Sequence, residues 1–211
     1  MKTAGIYLHI PFCEEKCSYC DFLTFPHQEK FYQKYVDALC KEITAEVDQR
    51  DLRNVEIDSI FFGGGTPTVI TAPMLNQIFN TIYSNLKVSE NAEITVEANP
   101  KSLSDEVLKE CIIGGVNRLS FGVQTTSKRL LDLCRRKHSK ENVIFDVERA
   151  EKAGINNINF DMIYAIPTQT EQDLERDFQF IKELRPEHVS WYSLILEEKT
   201  LLNHWVNMGK V

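Results

Sequence analysis

The sequence lacks several features that each define a class of protein. No apolar run among the 211 residues is long enough to cross a bilayer. Met1–Gly5 lead directly into a strand-like segment, without the long apolar core of a secretion signal. No segment is of low complexity or rich in proline and glycine, so no internal domain boundary is indicated. We therefore expect a cytoplasmic protein with one domain over residues 1–211 and no transmembrane segment.

Basic residues are also scarce. The chain has 24 Lys and Arg against 31 Asp and Glu, which gives a net charge of −7 and a sequence pI near 5.3. Surfaces that follow nucleic-acid phosphates need a surplus of Lys and Arg, so we expect no nucleic-acid partner. The one candidate for a local basic patch is Arg135-Arg136-Lys137-His138.

Short strand-like runs alternate with longer amphipathic stretches along the chain. The strand-like runs are Ile6–Ile10, Ser59–Phe62, Glu93–Glu97, Arg118–Phe121, Asn159–Ile163 and Val189–Leu194. The helical stretches lie near Phe31–Val47, Ala72–Leu86, Ser104–Ile113, Ser127–Cys134, Lys140–Ala153 and Glu171–Leu184. This alternation predicts an α/β fold with parallel strands, and roughly 30 residues per unit suits a barrel or partial barrel. An open doubly wound sheet is the alternative, because sequence does not give the spatial order of strands.

The pattern after Leu194 is less regular. Leu201, Leu202, Trp205 and Val206 predict one more short helix. The sequence then stops at Gly209-Lys210-Val211 without a closing element, so we expect a truncated chain.

The six cysteines are unevenly distributed. Three of them, Cys13, Cys17 and Cys20, have the spacing C-x₃-C-x₂-C directly after the first predicted strand. Three thiolates this close repel one another unless a metal centre binds them. The scattered cysteines, which we expect to be small buried hydrophobic residues, are Cys40, Cys111 and Cys134.

Three cysteines are one fewer than a [4Fe–4S] cluster is usually given. An incomplete ligand set leaves one iron open to bind a small molecule, as in other metal enzymes with an open coordination position. A zinc site completed by His9 or His27 is the alternative, although no second pair of zinc ligands follows. Unliganded cysteines are the third possibility, and the spacing favours the cluster.

With Tyr19 just before the last cysteine, this motif resembles the signature of the radical S-adenosylmethionine (SAM) superfamily. The flanking segments Ile6–Cys13 and Cys20–Phe22 more specifically resemble the branch that contains oxygen-independent coproporphyrinogen III oxidase and the HemW-type heme chaperones. The resemblance continues, in the same order, through Gly63–Thr68, Glu97–Pro100, Ser120–Gln124, Asn159–Asp161 and His188–Ser193.

The resemblance implies a partial (β/α)₆, TIM-like barrel, with residues 1–211 forming the radical SAM core and the C-terminal domain of the family absent. It implies a [4Fe–4S] cluster on Cys13, Cys17 and Cys20, with SAM at the open iron. The other cofactor-binding residues that it implies are Tyr7, Tyr19, Gly64, Gly65, Thr66, Glu97, Gln124, Arg136 and Asp161.

Position along the chain supports part of this set independently. Glu97, Gln124 and Asp161 lie at or after the ends of successive predicted strands, and such side chains converge at one mouth of a parallel barrel. Arg136 is suited to pair bidentately with a carboxylate, with a solvated helix end as the alternative.

Phe22 stands where the oxidase has a further cysteine, and Ser190–Tyr192 also resembles the chaperones more than the oxidase. We therefore expect a HemW-like heme-trafficking protein, with heme or a porphyrin as a further ligand. Its implied partners are a heme-acceptor protein and an electron donor such as flavodoxin or ferredoxin. The alternatives are coproporphyrinogen oxidase, which performs an oxidative decarboxylation in porphyrin biosynthesis, and, in another class, a zinc-stabilised binding module. Oxidase activity is not expected, and whether the chain turns over radical chemistry is left open.

Overall fold

The computed structural model describes residues 3–211, so Met1 and Lys2, at the start of the segment considered as a secretion signal, lie outside it. Within that range every helix is too short or too polar to span a bilayer. The strands are β1 (Thr3–Ile10), β2 (Phe12–Cys13), β3 (Phe25–Pro26), β4 (Glu56–Gly64), β5 (Lys87–Ala98), β6 (Arg118–Gln124), β7 (Asn157–Tyr164) and β8 (His188–Ser193). The α-helices are α1 (Tyr32–Gln49), α2 (Ala72–Asn85), α3 (Asp105–Ile113), α4 (Lys128–Leu133), α5 (Lys140–Lys152), α6 (Glu171–Leu184) and α7 (Leu201–Asn207).

Six strands form one parallel sheet in the order β1-β4-β5-β6-β7-β8. This order follows the chain without reversal, and right-handed crossovers place α1, α2, α3, α5 and α6 on one side, where they share one core. The natural twist of parallel strands then curls the sheet into a half-barrel. The predicted partial barrel is confirmed, and the doubly wound alternative, which requires a reversal of strand order, is wrong.

The remaining strands, β2 and β3, form a separate two-stranded ladder that pairs Phe12 with Phe25. The cysteine-bearing loop therefore leaves and returns at one place, beside the C-terminal end of β1. The predicted short helix after Leu194 is also present, as α7, and its amide at Leu202 hydrogen-bonds this loop.

Alternate residues of the strands face two different environments. On the helix side, Leu119, Phe121 and Val123 of β6 are fully buried and belong to one continuous core with α1, α2, α3, α5 and α6. On the opposite side, Ser120 and Gln124 of the same strand face an open cavity. The parallel strands thus divide an apolar core from a polar lumen.

The scattered cysteines are buried, as predicted. Cys40 and Cys111 lie in the main core, and Cys134 lies in a smaller cluster with Leu130 and Ile166. All six cysteines of the chain are free thiols.

Candidate functional site

A cavity of about 470 Å³ opens at the C-terminal ends of the strands, a volume within the range of about 300–1,000 Å³ typical of small-ligand sites. It is lined by residues from the cysteine loop and from the ends of β4 to β8. The predicted site residues among them are Cys13, Cys17, Tyr19, Cys20, Gly64, Gly65, Thr66, Glu97, Gln124, Arg136 and Asp161. Tyr7 does not line it: its ring is 59% exposed, and its hydroxyl hydrogen-bonds His9 Nδ1 at 3.1 Å.

Ser18, between the second and third cysteines of the motif, anchors the loop. Its Oγ donates to Leu133 O at 2.6 Å, and its amide donates to Cys134 O at 3.2 Å. Its carbonyl accepts from Leu202 N at 2.8 Å, and the residue is 1% exposed. The loop is therefore fixed to the end of α4 and to the start of α7. No sequence pattern indicated Ser18, because its role depends on two distant segments.

Each of two cysteine sulfurs accepts a hydrogen bond from a predicted site residue. Thr66 Oγ1 donates to Cys13 Sγ at 3.7 Å, and Arg136 Nη1 donates to Cys17 Sγ at 3.5 Å. Burial raises the pKa of the Cys13 and Cys20 thiols, so these side chains are neutral at ordinary pH.

Across residues 3–211, no three His, Cys, Asp or Glu side chains converge closely enough to hold a single metal ion. A [4Fe–4S] cubane has a different requirement, because each cysteine binds a different iron. Its three sulfurs need to surround one volume, and Cys13, Cys17 and Cys20 all line the same cavity.

The glycine turn after β4 packs directly on the segment that leads into Cys13. Gly65 N donates to Ile10 O, and Thr66 N donates to Phe12 O, both at 2.8 Å. A Cβ atom on Gly65 would lie 2.4 Å from Phe12 O, so only glycine allows this approach. Gly64 has φ +112°, which glycine adopts readily, and its amide donates to Glu97 Oε2 at 3.3 Å.

Two carboxyl groups face the cavity near one another. Burial, followed by repulsion from Asp161, raises the pKa of Glu97 to about 7 from its ordinary value of 4.5, although the Gly64 amide opposes the shift. Asp161 accepts hydrogen bonds from Ser120 Oγ at 2.8 Å and from Asn159 Nδ2 at 2.9 Å. Asn159 is 1% exposed, and its Oδ1 accepts from His188 and Ser190. Sequence reasoning gave Asn159 only as part of a motif and missed this orienting role.

Arg136 is buried, with 8% of its surface exposed, so the alternative of a solvated helix end is wrong. Besides Cys17, it donates through Nη2 to Asn99 Oδ1 at 2.7 Å and to the carbonyl of Gly122. Its Nε is buried without a partner among the described residues.

The burial of Arg136 also argues against the candidate basic patch at Arg135–His138. Residues 134–135 form a turn after α4, with Arg135 at φ +56°, and residues 136–138 follow without regular structure. Arg135 and Lys137 are exposed, whereas Arg136 and His138 are buried. His138 Nε2 donates to Val123 O at 3.0 Å, and burial lowers its pKa to about 3. The segment binds the end of β6 instead of presenting four positive charges to solvent.

Comparison with known proteins identifies relatives over the whole chain. The model of the radical SAM superfamily matches residues 7–181. The heme chaperone HemW of Bacillus subtilis is 41% identical over 215 residues, which cover 100% of this chain and 55% of the relative. HemW of Escherichia coli is 33% identical, covering 95% of this chain and 53% of the relative. The chain thus spans about half the length of the curated relatives it matches.

Solved structures show the same architecture. Coproporphyrinogen III oxidase (HemN) from Escherichia coli superimposes with a TM-score of 0.87 at 24% identity, over 99% of this chain and 52% of the oxidase. The methyltransferase TsrM from Kitasatospora setae, solved with cobalamin and a [4Fe–4S] cluster, has a TM-score of 0.68 at 13% identity, over 95% of this chain and 36% of the enzyme. At these identities the likeness concerns the fold alone.

Proposed function

The chain belongs to the radical SAM superfamily, and from this we propose that Cys13, Cys17 and Cys20 bind a [4Fe–4S] cluster whose fourth iron binds SAM. The observation that carries the proposal is that all three cysteines line one cavity together with the strand-end polar groups. The family implies both cofactors. Among the structural neighbours, TsrM contains a [4Fe–4S] cluster and Streptococcus suis SuiB was solved with SAM bound.

The residues present fit these cofactors. The Gly65 turn lets backbone approach the segment before Cys13, and Thr66 and Arg136 donate to cysteine sulfurs. When bound, the cluster supplies an electron for reductive cleavage of SAM. For the chain's own groups, we propose that the Gly64–Thr66 backbone, Glu97, Gln124 and Asp161 orient SAM, and that Tyr19 covers the cluster.

We further propose that the protein acts in heme trafficking as a HemW-like heme chaperone in the cytoplasm. The HemW names of relatives at 33–41% identity support this, as does Phe22 at the position where the oxidase has a further cysteine. Phe22 is 69% exposed at the rim of the cavity, where its side chain is available to a ligand. The proposed ligands are heme or a porphyrin, and the proposed partners are a heme-acceptor protein and an electron donor such as flavodoxin or ferredoxin.

Anaerobic reconstitution with iron and sulfide tests the cluster. We expect the wild-type chain to acquire about four iron and four sulfide, and its reduced-state electron paramagnetic resonance (EPR) signal to change when SAM is added. Cys17→Ala should lose the cluster, whereas the matched control Cys40→Ala, on the buried face of α1, should keep it. A chain that purifies with zinc and takes up no iron would overturn the proposal.

Titration with heme under the same conditions tests the trafficking role. We expect saturable binding, seen as a shift of the heme absorption band, and no conversion of coproporphyrinogen in an anaerobic assay with SAM and a reductant. Formation of protoporphyrinogen together with 5′-deoxyadenosine would establish the oxidase instead. Absence of heme binding in both this chain and a full-length relative would refute the chaperone role.

A further inference from the structure

A buried positive charge contacts one sulfur of the candidate cluster site. Arg136 Nη1 lies 3.5 Å from Cys17 Sγ and donates a hydrogen bond to it. The guanidinium keeps its charge at all physiological pH values. Because Arg136 is buried, solvent screens its field at the sulfur much less than it would screen a surface charge.

The guanidinium is held over the end of β6 by groups that fix its position. Nη2 donates to Asn99 Oδ1 and to Gly122 O. A Cβ atom on Gly122 would lie 2.8 Å from Nη2, so the glycine provides the space that Arg136 occupies. These contacts engage the protein itself and need no SAM.

We infer that Arg136 acts through Cys17 to raise the reduction potential of the cluster, independently of any contact with SAM. This rests on the proposed function, since it requires the cluster on Cys17. Reduction adds one negative charge to the cluster and its thiolates. A fixed positive charge and an N–H donor at a ligand sulfur stabilise that reduced form, because net charge and hydrogen bonds to sulfur set cluster potentials.

Redox titration of the reconstituted chain without SAM, followed by EPR, tests the inference. Arg136→Gln removes the charge and should shift the midpoint potential to more negative values. Arg136→Lys keeps a charge but loses the planar fork, so its potential should fall between that of Arg136→Gln and that of the wild type. Arg135→Gln is the matched control, because the neighbouring Arg135 is exposed, and its removal should leave the potential unchanged.

Iron and sulfide content and far-ultraviolet circular dichroism are measured on every variant. Equal potentials for wild type and both Arg136 variants, or an equal shift in Arg135→Gln, would overturn the inference, as would a shift that appears only with SAM. If Arg136→Gln does not hold the cluster, the midpoint potential of Arg136→Lys is the test. A potential equal to that of the wild type would then overturn the inference. Cluster loss in both folded variants would assign Arg136 to assembly instead of tuning. Failure of the wild type to bind iron would overturn the proposed function and not this inference specifically.

Discussion

Adjacent residues of the same strand have different roles, because their side chains lie on opposite faces of the sheet. On the helix side of β6, Leu119, Phe121 and Val123 are each 0% exposed and need only close packing. On the cavity side, Ser120 and Gly122 serve particular partners: Ser120 bonds Asp161, and Gly122 makes room for Arg136. The helix side needs only apolar side chains that pack closely, whereas the cavity side needs particular polar atoms at hydrogen-bond distances.

The cavity face also holds two polar groups in unusual states. Glu97 holds a carboxyl with a raised pKa, and Arg136 Nε has no partner among residues 3–211. Buried polar atoms are normally hydrogen-bonded, so the unpartnered Arg136 Nε is an exception, whereas Glu97 accepts a hydrogen bond from the Gly64 amide. The helix side therefore supplies stability, and the cavity side holds the polar groups of the proposed cofactor site.

The largest expected effect tests this division with two neighbouring residues. Phe121→Ala removes a fully buried ring and should lower the free energy of unfolding by about 3–5 kcal/mol. Ser120→Ala removes one hydroxyl that bonds Asp161 and Asn159 and should cost about 1 kcal/mol. Denaturant unfolding of the cofactor-free chain measures both. Equal losses would show that the cavity face contributes to stability as the core does.

The helix side could be predicted from sequence because apolar periodicity reports burial directly. All six sheet strands and all seven helices overlap their predicted ranges. The largest difference is at β5, which begins at Lys87 where Glu93 was predicted. The added residues pair with β4 at Glu56 and Ile57 across a register shift. Ser89, Glu90 and Asn91 in this extension are polar, so periodicity gave no signal there.

The cavity side could be predicted only in part. The strand ends locate Glu97, Gln124 and Asp161, because parallel strands share one C-terminal edge. The burial of Arg136 could not be predicted, since arginine is rarely buried without a partner and its partners Asn99 and Gly122 lie in other loops and strands. The anchoring role of Ser18 could not be predicted for the same reason, since its partners lie in distant segments. Long-range contacts between loops decide these roles, and local patterns do not record them.

The second prediction, of intermediate size, compares a glycine at the candidate site with a glycine that ends a helix. Gly65→Ala places a methyl group against the Phe12 carbonyl, so we expect a loss of stability toward the upper end of about 1–3 kcal/mol and a displaced Cys13. Because Cys13 is displaced, the iron content after reconstitution should also be lower than in the wild type. Gly154→Ala is the control: its φ of +99° costs about 1 kcal/mol, but no atom lies within 4 Å of the added carbon, so iron uptake should be normal. Normal iron content in Gly65→Ala would contradict the close approach.

The smallest expected effect is the pH dependence contributed by Glu97. Its pKa in the folded chain, about 7, lies above its ordinary 4.5, so the folded state takes up a proton first as the pH falls. The free energy of unfolding therefore increases as the pH falls from about 7 to 4.5. The increase is about 1–2 kcal/mol once solvent screening of the partly exposed carboxyl is allowed for.

Glu97→Gln should remove that contribution, and the difference between the two unfolding curves against pH isolates it. The comparison is needed because His138 has the opposite sign: its pKa of about 3 lies below its ordinary 6.5, so its contribution falls as the pH drops. If the variant and the wild type differ by a constant amount across this pH window, Glu97 is not held in the strained state that distinguishes the cavity face. A difference that is absent near pH 4.5, grows toward about pH 7 and stays constant above it means that the cavity face keeps a carboxyl at a cost to stability, as a group placed for a ligand would be.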